Sequence, residues 1–295
     1  MVRNQSSKIQ HTNNKKLSSM ETTTNKQIEI NLLIEAIRQK YGYDFRDYAN
    51  QSLMRRINNF LSNTSYTNIC EVIYNILRDG QLFLKFLNYL SVSVTEMFRD
   101  PFVYRRIRQD IIPLLKIFPK INIWHAGCAS GEEVYSFAIL LKEENLYDRT
   151  NIYATDIDPI SLEKARNGIF PLDVVKKGTE NYLKSGGKHS LSNYYQANFE
   201  KVIFNSSLKK NITFMTHNLA VDNSFKQMHI IICRNVLIYF NQKLQNRVLK
   251  LFSDSLIRNG FLCLGLNESI LDTDIFKKFE ILSESDSIFK KILAV

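Results

Sequence analysis

The stretch from Ile121 to Leu141, INIWHAGCASGEEVYSFAILL, constrains the fold of this chain more than any other. Ile121, Ile123 and Trp124 read as a buried strand, which then turns through Gly127-Cys128-Ala129-Ser130-Gly131. Val134, Phe137, Ala138 and Leu141 follow at i, i+3, i+4 and i+7, the spacing of one helical face. A strand, a small-residue loop and a helix open a nucleotide-binding α/β unit, because glycines let a ligand approach the backbone at a helix N-terminus. The glycine spacing alone is weak evidence, and two features sharpen it. Glu132 and Glu133 occupy the first helical turn, where a phosphate is repelled and a cation welcomed. Ile152 to Asp156 reads as a second strand ending in an acid, placed to bind ribose hydroxyls. A ribosyl ligand bearing positive charge points to S-adenosylmethionine.

The flanking sequence predicts two domains after a polar tail. Residues 1–27, rich in Asn, Ser, Thr and Lys, are expected to be disordered. Residues 28–90 carry four short amphipathic patterns and no strand signal. Ile30, Leu33, Ile34 and Ile37 share one face, and Leu53, Ile57, Phe60 and Leu61 a second. Ile69, Val72, Ile73 and Ile76 form the third, and Leu82, Phe83, Phe86 and Leu90 the fourth. Residues 91–295 form the α/β domain, entered through the junction Ser91–Thr95 and a helix over Phe102–Leu115.

Within that domain, Asp158-Pro159 starts a helix and Asn167-Gly168 stops it. From about 176 to 211 the pattern changes. Gly178, Gly186 and Gly187 punctuate short pieces, and Tyr194, Tyr195, Phe199, Val202 and Phe204 predict an inserted antiparallel β-subdomain. The core resumes with a strand over Ile212–Met215 and a central parallel strand over Met228–Cys233. Leu244, Val248, Leu251 and Phe252 mark a helix that Asn259-Gly260 is expected to end, before a strand over Phe261–Leu266. Ile281-Leu282 and Ile288–Leu293 supply a last antiparallel hairpin.

At 295 residues with 44% hydrophobic content, the chain can bury one larger and one smaller core. Cys70, Cys128, Cys233 and Cys263 are scattered without a CxxC pair, so neither a zinc site nor a disulfide framework is indicated. No run approaches the ~20 apolar residues of a membrane span, and the start lacks an apolar signal core. A cytoplasmic protein without membrane insertion is expected. The net charge of +10 suits an acidic partner without naming one.

Gly127, Asp156, Asn218 and Asn235 fall at the carboxyl ends of inferred strands, the edge where open α/β sheets bind ligands. Singly, each could be a cap or turn residue. Cys233, at a strand end and followed by Arg234 and no proline, reads as a small buried residue and not as a nucleophile. The segment Cys233–Phe240 lacks the prolines of amine-directed methyltransferases and offers instead a guanidinium and a phenol, suited to an anionic acceptor. A glutamate acceptor, with a reference pKa of about 4.3, is already the nucleophile at neutral pH. Arg99 or Arg234 could hold its carboxylate, and Tyr239 could line the transfer site; the bland alternatives are an ion pair of Arg99 with Asp100 or Glu96, and a core role for Tyr239.

The segments SVTEMFRDP, IWHAGCASGEEVYS, IYATDID, HNL and ICRNVLIYF, in that order, resemble the CheR family of chemotaxis-receptor protein-glutamate O-methyltransferases. The resemblance covers nearly all of Ile28 to Val295, with the inserted segment more divergent. It implies an α/β fold: a Rossmann-like S-adenosylmethionine-dependent methyltransferase domain with a small inserted antiparallel β-subdomain, preceded by a small all-α domain. It implies that Ser93, Thr95, Arg99, Glu132, Asp156, Asn218, Leu219, Asn235 and Val236 are cofactor positions, which Gly127 joins from its place at a strand end. Arg99, Arg234 and Tyr239 match residues around the methyl-transfer site. As an isolated charge pair, Arg55 and Arg56 of the second helix read first as a solvated face; the resemblance gives them a candidate role, matching basic residues that meet chemoreceptor helices. The resemblance implies S-adenosylhomocysteine as product and a methyl-accepting chemoreceptor as partner, with no nucleic acid expected, a monomer as the expected state and no metal. His125-Ala126-Gly127 departs from the family's more frequent Ser-Ala-Ala, and Val134 stands where Pro is common. Two competing functions stay open: a same-fold methyltransferase acting on another protein or nucleic acid, and a non-catalytic module that binds S-adenosylmethionine or docks a receptor.

Overall fold

A computed structural model describes residues 25–91, 95–271 and 273–292. Most of the polar tail, Ser93 with its two neighbours, and Leu293 lie outside the described residues. The described chain separates into two compact units, one of residues up to Arg46 with Asn50–Tyr89, the other of Asp47–Ala49 with Leu90 onward.

The first unit is all helical. Helix α1 covers residues 25–41, so Asn25–Gln27 are ordered where disorder is expected from composition. It is followed by α2 (Asn50–Ser62), α3 (Ile69–Ile76) and α4 (Gly80–Leu90). Asn68 caps α3 by accepting from the Glu71 N–H, and Asp79 caps α4 by accepting from Gln81 and Leu82. The four apolar stripes turn inward, with Ile30, Leu33, Ile37, Leu53, Ile57, Phe60, Ile76 and Phe86 buried. Phe60 meets Phe86 edge-on at 4.9 Å.

The second unit opens with α5 (Pro101–Arg106), which passes through a π turn at Ile107–Ile111 into α6 (Ile112–Leu115). The single helix expected over Phe102–Leu115 is thus widened in its middle. Pro113 explains this: it has no N–H, and its ring would strike the carbonyl four residues back in a regular helix. There follow β1 (Ile121–Ala126), α7 (Glu132–Glu143), β2 (Thr150–Asp156) and α8 (Pro159–Asn167). Next come β3 (Ile169–Pro171), α9 (Leu172–Lys184), β4 (Tyr195–Asn198), β5 (Lys201–Phe204) and β6 (Ile212–Thr216). The chain closes with β7 (Met228–Cys233), α10 (Gln242–Ser255), β8 (Leu256–Leu264), β9 (Phe279–Ser283) and β10 (Ile288–Lys291).

The main sheet has seven strands in the order β6-β2-β1-β7-β8-β10-β9, parallel except for β10, which runs antiparallel to both neighbours. The strand order reverses between β1 and β7, so a crevice opens beyond the carboxyl ends of those two strands. Ile121, Ile123 and Trp124 are fully buried on β1, as a strand covered on both faces requires. The second sheet, β3-β5-β4, is antiparallel.

Two glycine signals mean something other than their local pattern suggests. Gly178 does not break a segment but lies within α9, where an added Cβ would come within 2.4 Å of Met97 Cβ. The subdomain consequently begins at β3, earlier than 176, and contains a helix. Asn259-Gly260 does not end α10. The Lys291 ammonium reaches its last carbonyls, donating to Ser253 O at 2.7 Å and Leu256 O at 2.8 Å. Asn259, with φ +61°, instead takes up the slip between Met228↔Leu256 and Ile230↔Phe261 inside β8.

Candidate methyl-transfer site

The loop after β1 is built by its neighbours on β2. The Gly127 and Cys128 N–H groups both donate to Thr155 O, at 2.8 and 2.9 Å. Gly127 has φ +77°, and a Cβ there would lie 2.5 Å from Val236 Cγ2. Glycine is therefore demanded by backbone sign and by close approach of the loop after β7. Asp156 holds the same loop from beneath: Oδ2 accepts from Ala129 N at 2.8 Å and Oδ1 from Asp158 N at 3.0 Å. Each oxygen keeps a second lone pair for a ligand. Burial pushes this carboxyl up to about 6, against the backbone donors that favour its charge.

Gly131, with φ +96°, turns the chain into α7, and Ser130 Oγ donates to Glu132 Oε2 at 2.7 Å. Burial raises the Glu132 carboxyl, with Ser130 working against the shift. Asn218, after β6, accepts from Ala220 N through Oδ1 and donates its own N–H to Asp222 Oδ2 at 2.7 Å. It joins the same edge because His217 N donates to Asp156 O at 3.1 Å. Leu219 is buried beside it, and Thr95 is half-buried. Ser93 lies outside the described residues.

The loop after β7 carries charge. Arg234 is 2% exposed at its side chain. Its Nη2 meets Asp100 Oδ2 at 2.5 Å, and its Nη1 meets Glu133 Oε2 at 2.9 Å and donates to Arg99 O at 3.1 Å. Burial works to lower the Arg234 pKa, but the carboxylates of Glu133 and Asp100 leave it above the guanidinium norm. Burial likewise works to raise Glu133, while Arg234 and His125 outweigh it and leave it below the usual range. The expected cation on the first turn of α7 is thus this chain's own arginine, at Glu133. Arg234 is engaged on both sides and ties the Arg99–Asp100 segment to the first turn of α7.

The segment it holds is strained. Phe98 and Asp100 have φ +52° and +55°, rare for a large side chain and costing on the order of 1–3 kcal/mol each. The strain is contained by the fully buried Phe98 ring, by Ser136 Oγ accepting from Phe98 N at 2.9 Å, and by Arg234. Between the two strained residues stands Arg99, half-buried. Its guanidinium has no ion pair or hydrogen bond among the described residues. The pairing of Arg99 with Asp100 does not form, because Asp100 faces Arg234.

Asn235, at φ +60°, presents Oδ1 buried and without a hydrogen-bond partner among the described residues. An orphaned acceptor beside the Gly127 cradle fits a ligand bearing N–H or O–H donors. Tyr239 is half-buried, and its backbone is fixed at both ends, N–H to Val236 O and carbonyl from Ala49 N. Cys233 is fully buried with its thiol pushed well up by desolvation, a packing residue. In the helical unit Arg55 is exposed, whereas Arg56 is buried at 6% exposure; the two do not form one exposed pair. Among the described residues no cluster of His, Cys, Asp or Glu could hold a metal ion.

Sequence reasoning placed Glu133 beside a cationic ligand and Asp100 beside Arg99, and the structure pairs both with Arg234. It missed Ser136 and Glu268, which had no signal because Phe98 and Asn235, whose N–H groups they accept from, are remote in sequence.

Residues 93–284 match the CheR methyltransferase, SAM binding domain, and residues 28–91 match the CheR methyltransferase, all-alpha domain. The chain is 45% identical over 272 residues to a Pseudomonas putida protein named Cher3, covering 92% of this chain and all of that one. It is 31% identical to the chemotaxis protein methyltransferase of Borreliella burgdorferi, over 82% of this chain and 88% of that protein. With the chemotaxis protein methyltransferase of Listeria innocua it shares 28% identity, over 80% of this chain and 88% of that protein.

Proposed function

The chain belongs to the CheR methyltransferase family, and we propose that it transfers the methyl group of S-adenosylmethionine to glutamate carboxylates on chemoreceptor helices. The observation that carries this reading is Arg99, a guanidinium without a carboxylate of its own on a strained segment clamped by Arg234. Such a cation suits an incoming carboxylate.

Asp156, Glu132, Asn218 and the orphaned Asn235 Oδ1 would hold the cofactor, with Gly127 and Val236 forming its floor. When bound, S-adenosylmethionine supplies a methyl carbon made electrophilic by a positively charged sulfur. A glutamate acceptor is ionised at neutral pH, with a reference pKa of about 4.3, so the chain needs to provide no base. What its residues provide is countercharge and alignment. Arg99 receives the carboxylate and is kept in place by the Arg234 clamp, while Tyr239 lines the approach; such placement supplies up to ~7–11 kcal/mol in ideal cases. Docking draws on Arg55, exposed on α2, against an acidic receptor helix, while Arg56 serves packing. No described helix is long and apolar enough to cross a membrane, and the reaction so drawn belongs to the cytoplasm.

The test is incubation with methyl-labelled S-adenosylmethionine and a receptor cytoplasmic fragment, followed by mild base. Methyl esters release labelled methanol; methylated amines and bases retain the label, and that result would overturn the reading.

A further inference from the structure

Glu268 lies beyond β8, far in sequence from every residue of the site, yet its carboxylate lies under the loop after β7. It is 6% exposed. Its Oε2 accepts from Asn235 N at 2.9 Å and from Gly265 N at 2.7 Å, and its Oε1 accepts from Ile238 N at 3.2 Å. Both oxygens act as acceptors in a cradle of backbone donors, which favour the ionised carboxylate against the burial that pushes its pKa up. Gly265 is shaped to the same contact, since a Cβ there would lie 2.7 Å from Asn235 N and 2.8 Å from Glu268 Oε2.

Two of the three donors belong to the loop that carries the chemistry. Asn235 N–H is fixed at the residue whose φ is +60° and whose Oδ1 is unpartnered. Ile238 N–H is fixed one residue before Tyr239. Between them stands Val236, packed over Gly127. The carboxylate therefore grips the loop at two points that bracket its cofactor residues and adjoin its transfer residue. A neutral backbone contact could satisfy one N–H; a single anion satisfies both and ties them to Gly265.

We propose that Glu268 is a positioning residue for methyl transfer: it touches no reactant, but its carboxylate sets Asn235, Val236 and Tyr239 at the distances the reaction needs. The proposal rests on the carboxyl-methylation reading. Glu268→Gln keeps size and turns an N–H₂ donor toward one of the backbone N–H groups, so it releases one end of the loop. Because a misplacement of about 1 Å can cost on the order of 10²-fold, kcat is expected to fall at least about tenfold. KM for the receptor fragment should stay within about twofold, and S-adenosylhomocysteine affinity should weaken several-fold. Glu268→Asp keeps the charge and should recover part of the loss.

The experiment measures both variants and wild type by calorimetry with S-adenosylhomocysteine, by steady-state methylation, and by chemical denaturation. The split just given supports the role. Unchanged kcat and unchanged affinity in a folded Glu268→Gln would overturn it. So would a loss in both variants that only follows the fraction unfolded. Wild type forming no base-labile ester would sink the methylation reading alone, and Glu268 is then judged on the calorimetry.

Discussion

The loop after β1 and the loop after β7 face the same sheet edge and are held by opposite means. The first is tied by backbone and near neighbours: Ala129 to Asp156 spans 27 residues, and Ser130 to Glu132 spans two. The second is tied by buried charge over long separations, with Arg234 reaching Glu133 across 101 residues and Asp100 across 134. On the proposed function, the difference teaches how a cofactor cradle and a transfer centre can share one crevice. A cradle needs space and unpaired acceptors, which glycines and short turns supply. A transfer centre needs a cation fixed in direction, and a strained segment is fixed only if something else bears its strain.

Breaking the second region should cost most. Arg234→Ala leaves Glu133 and Asp100 without their counterion, at side-chain exposures of 15% and 26%. Removing one partner of such a buried network costs about 3–5 kcal/mol. Chemical denaturation should register that loss, and methyl transfer should fall with it because Arg99 loses the hydrogen bond to its carbonyl. Glu133→Gln in the Arg234→Ala background should return part of the stability, since the buried anion is gone. A null result in the single variant would mean that the clamp does not hold the segment.

Breaking the first region should affect ligand more than fold. Asp156→Ala removes acceptors whose charge-assisted hydrogen bonds are worth about 1.5–3 kcal/mol each, so S-adenosylhomocysteine affinity should drop well over tenfold by calorimetry. The same carboxyl gives a pH signature. With a native value of about 6, wild-type affinity should be flat above pH 7 and fall by up to about tenfold per unit below 6. Stability should move the other way. The native value lies above the unfolded one of about 3.9, so the ionised carboxylate opposes folding, and that penalty is relieved as pH falls from 6 to 4. Stability of wild type relative to Asp156→Asn should accordingly rise over that interval, read from denaturation midpoints.

The contrast also explains what was legible in the sequence. Gly127, Asp156 and the helix starts carry local signatures, because glycine at positive φ, an acid at a strand end and Asp-Pro at an N-cap act on their own neighbours. The sheet follows from the alternation of such units. Arg234 was readable as a residue near the chemistry, but its role was not: a guanidinium looks the same in sequence whether it faces substrate or two carboxylates. Asn259-Gly260 misled for a related reason. A lysine 32 positions on, Lys291, caps α10 and frees the pair for a bulge in β8.

The smallest effect is expected at Cys233, at the end of β7 and the start of the loop that follows it. Its thiol is buried and held protonated by desolvation. Cys233→Ala should leave transfer within about twofold of wild type, with stability lower by about 1 kcal/mol from the lost packing. A collapse of activity in folded Cys233→Ala would reassign the nucleophilic chemistry.

The most direct test of carboxylate transfer is the pH dependence of a single turnover, with saturating S-adenosylmethionine and receptor fragment, from pH 6.5 to 9. An ionised glutamate has no proton to lose in that range, so the rate should not climb with a base, and the product should release methanol in mild base. A tenfold rise per pH unit with a base-stable product would contradict the account, because an acceptor that must first lose a proton is an amine and not a carboxylate.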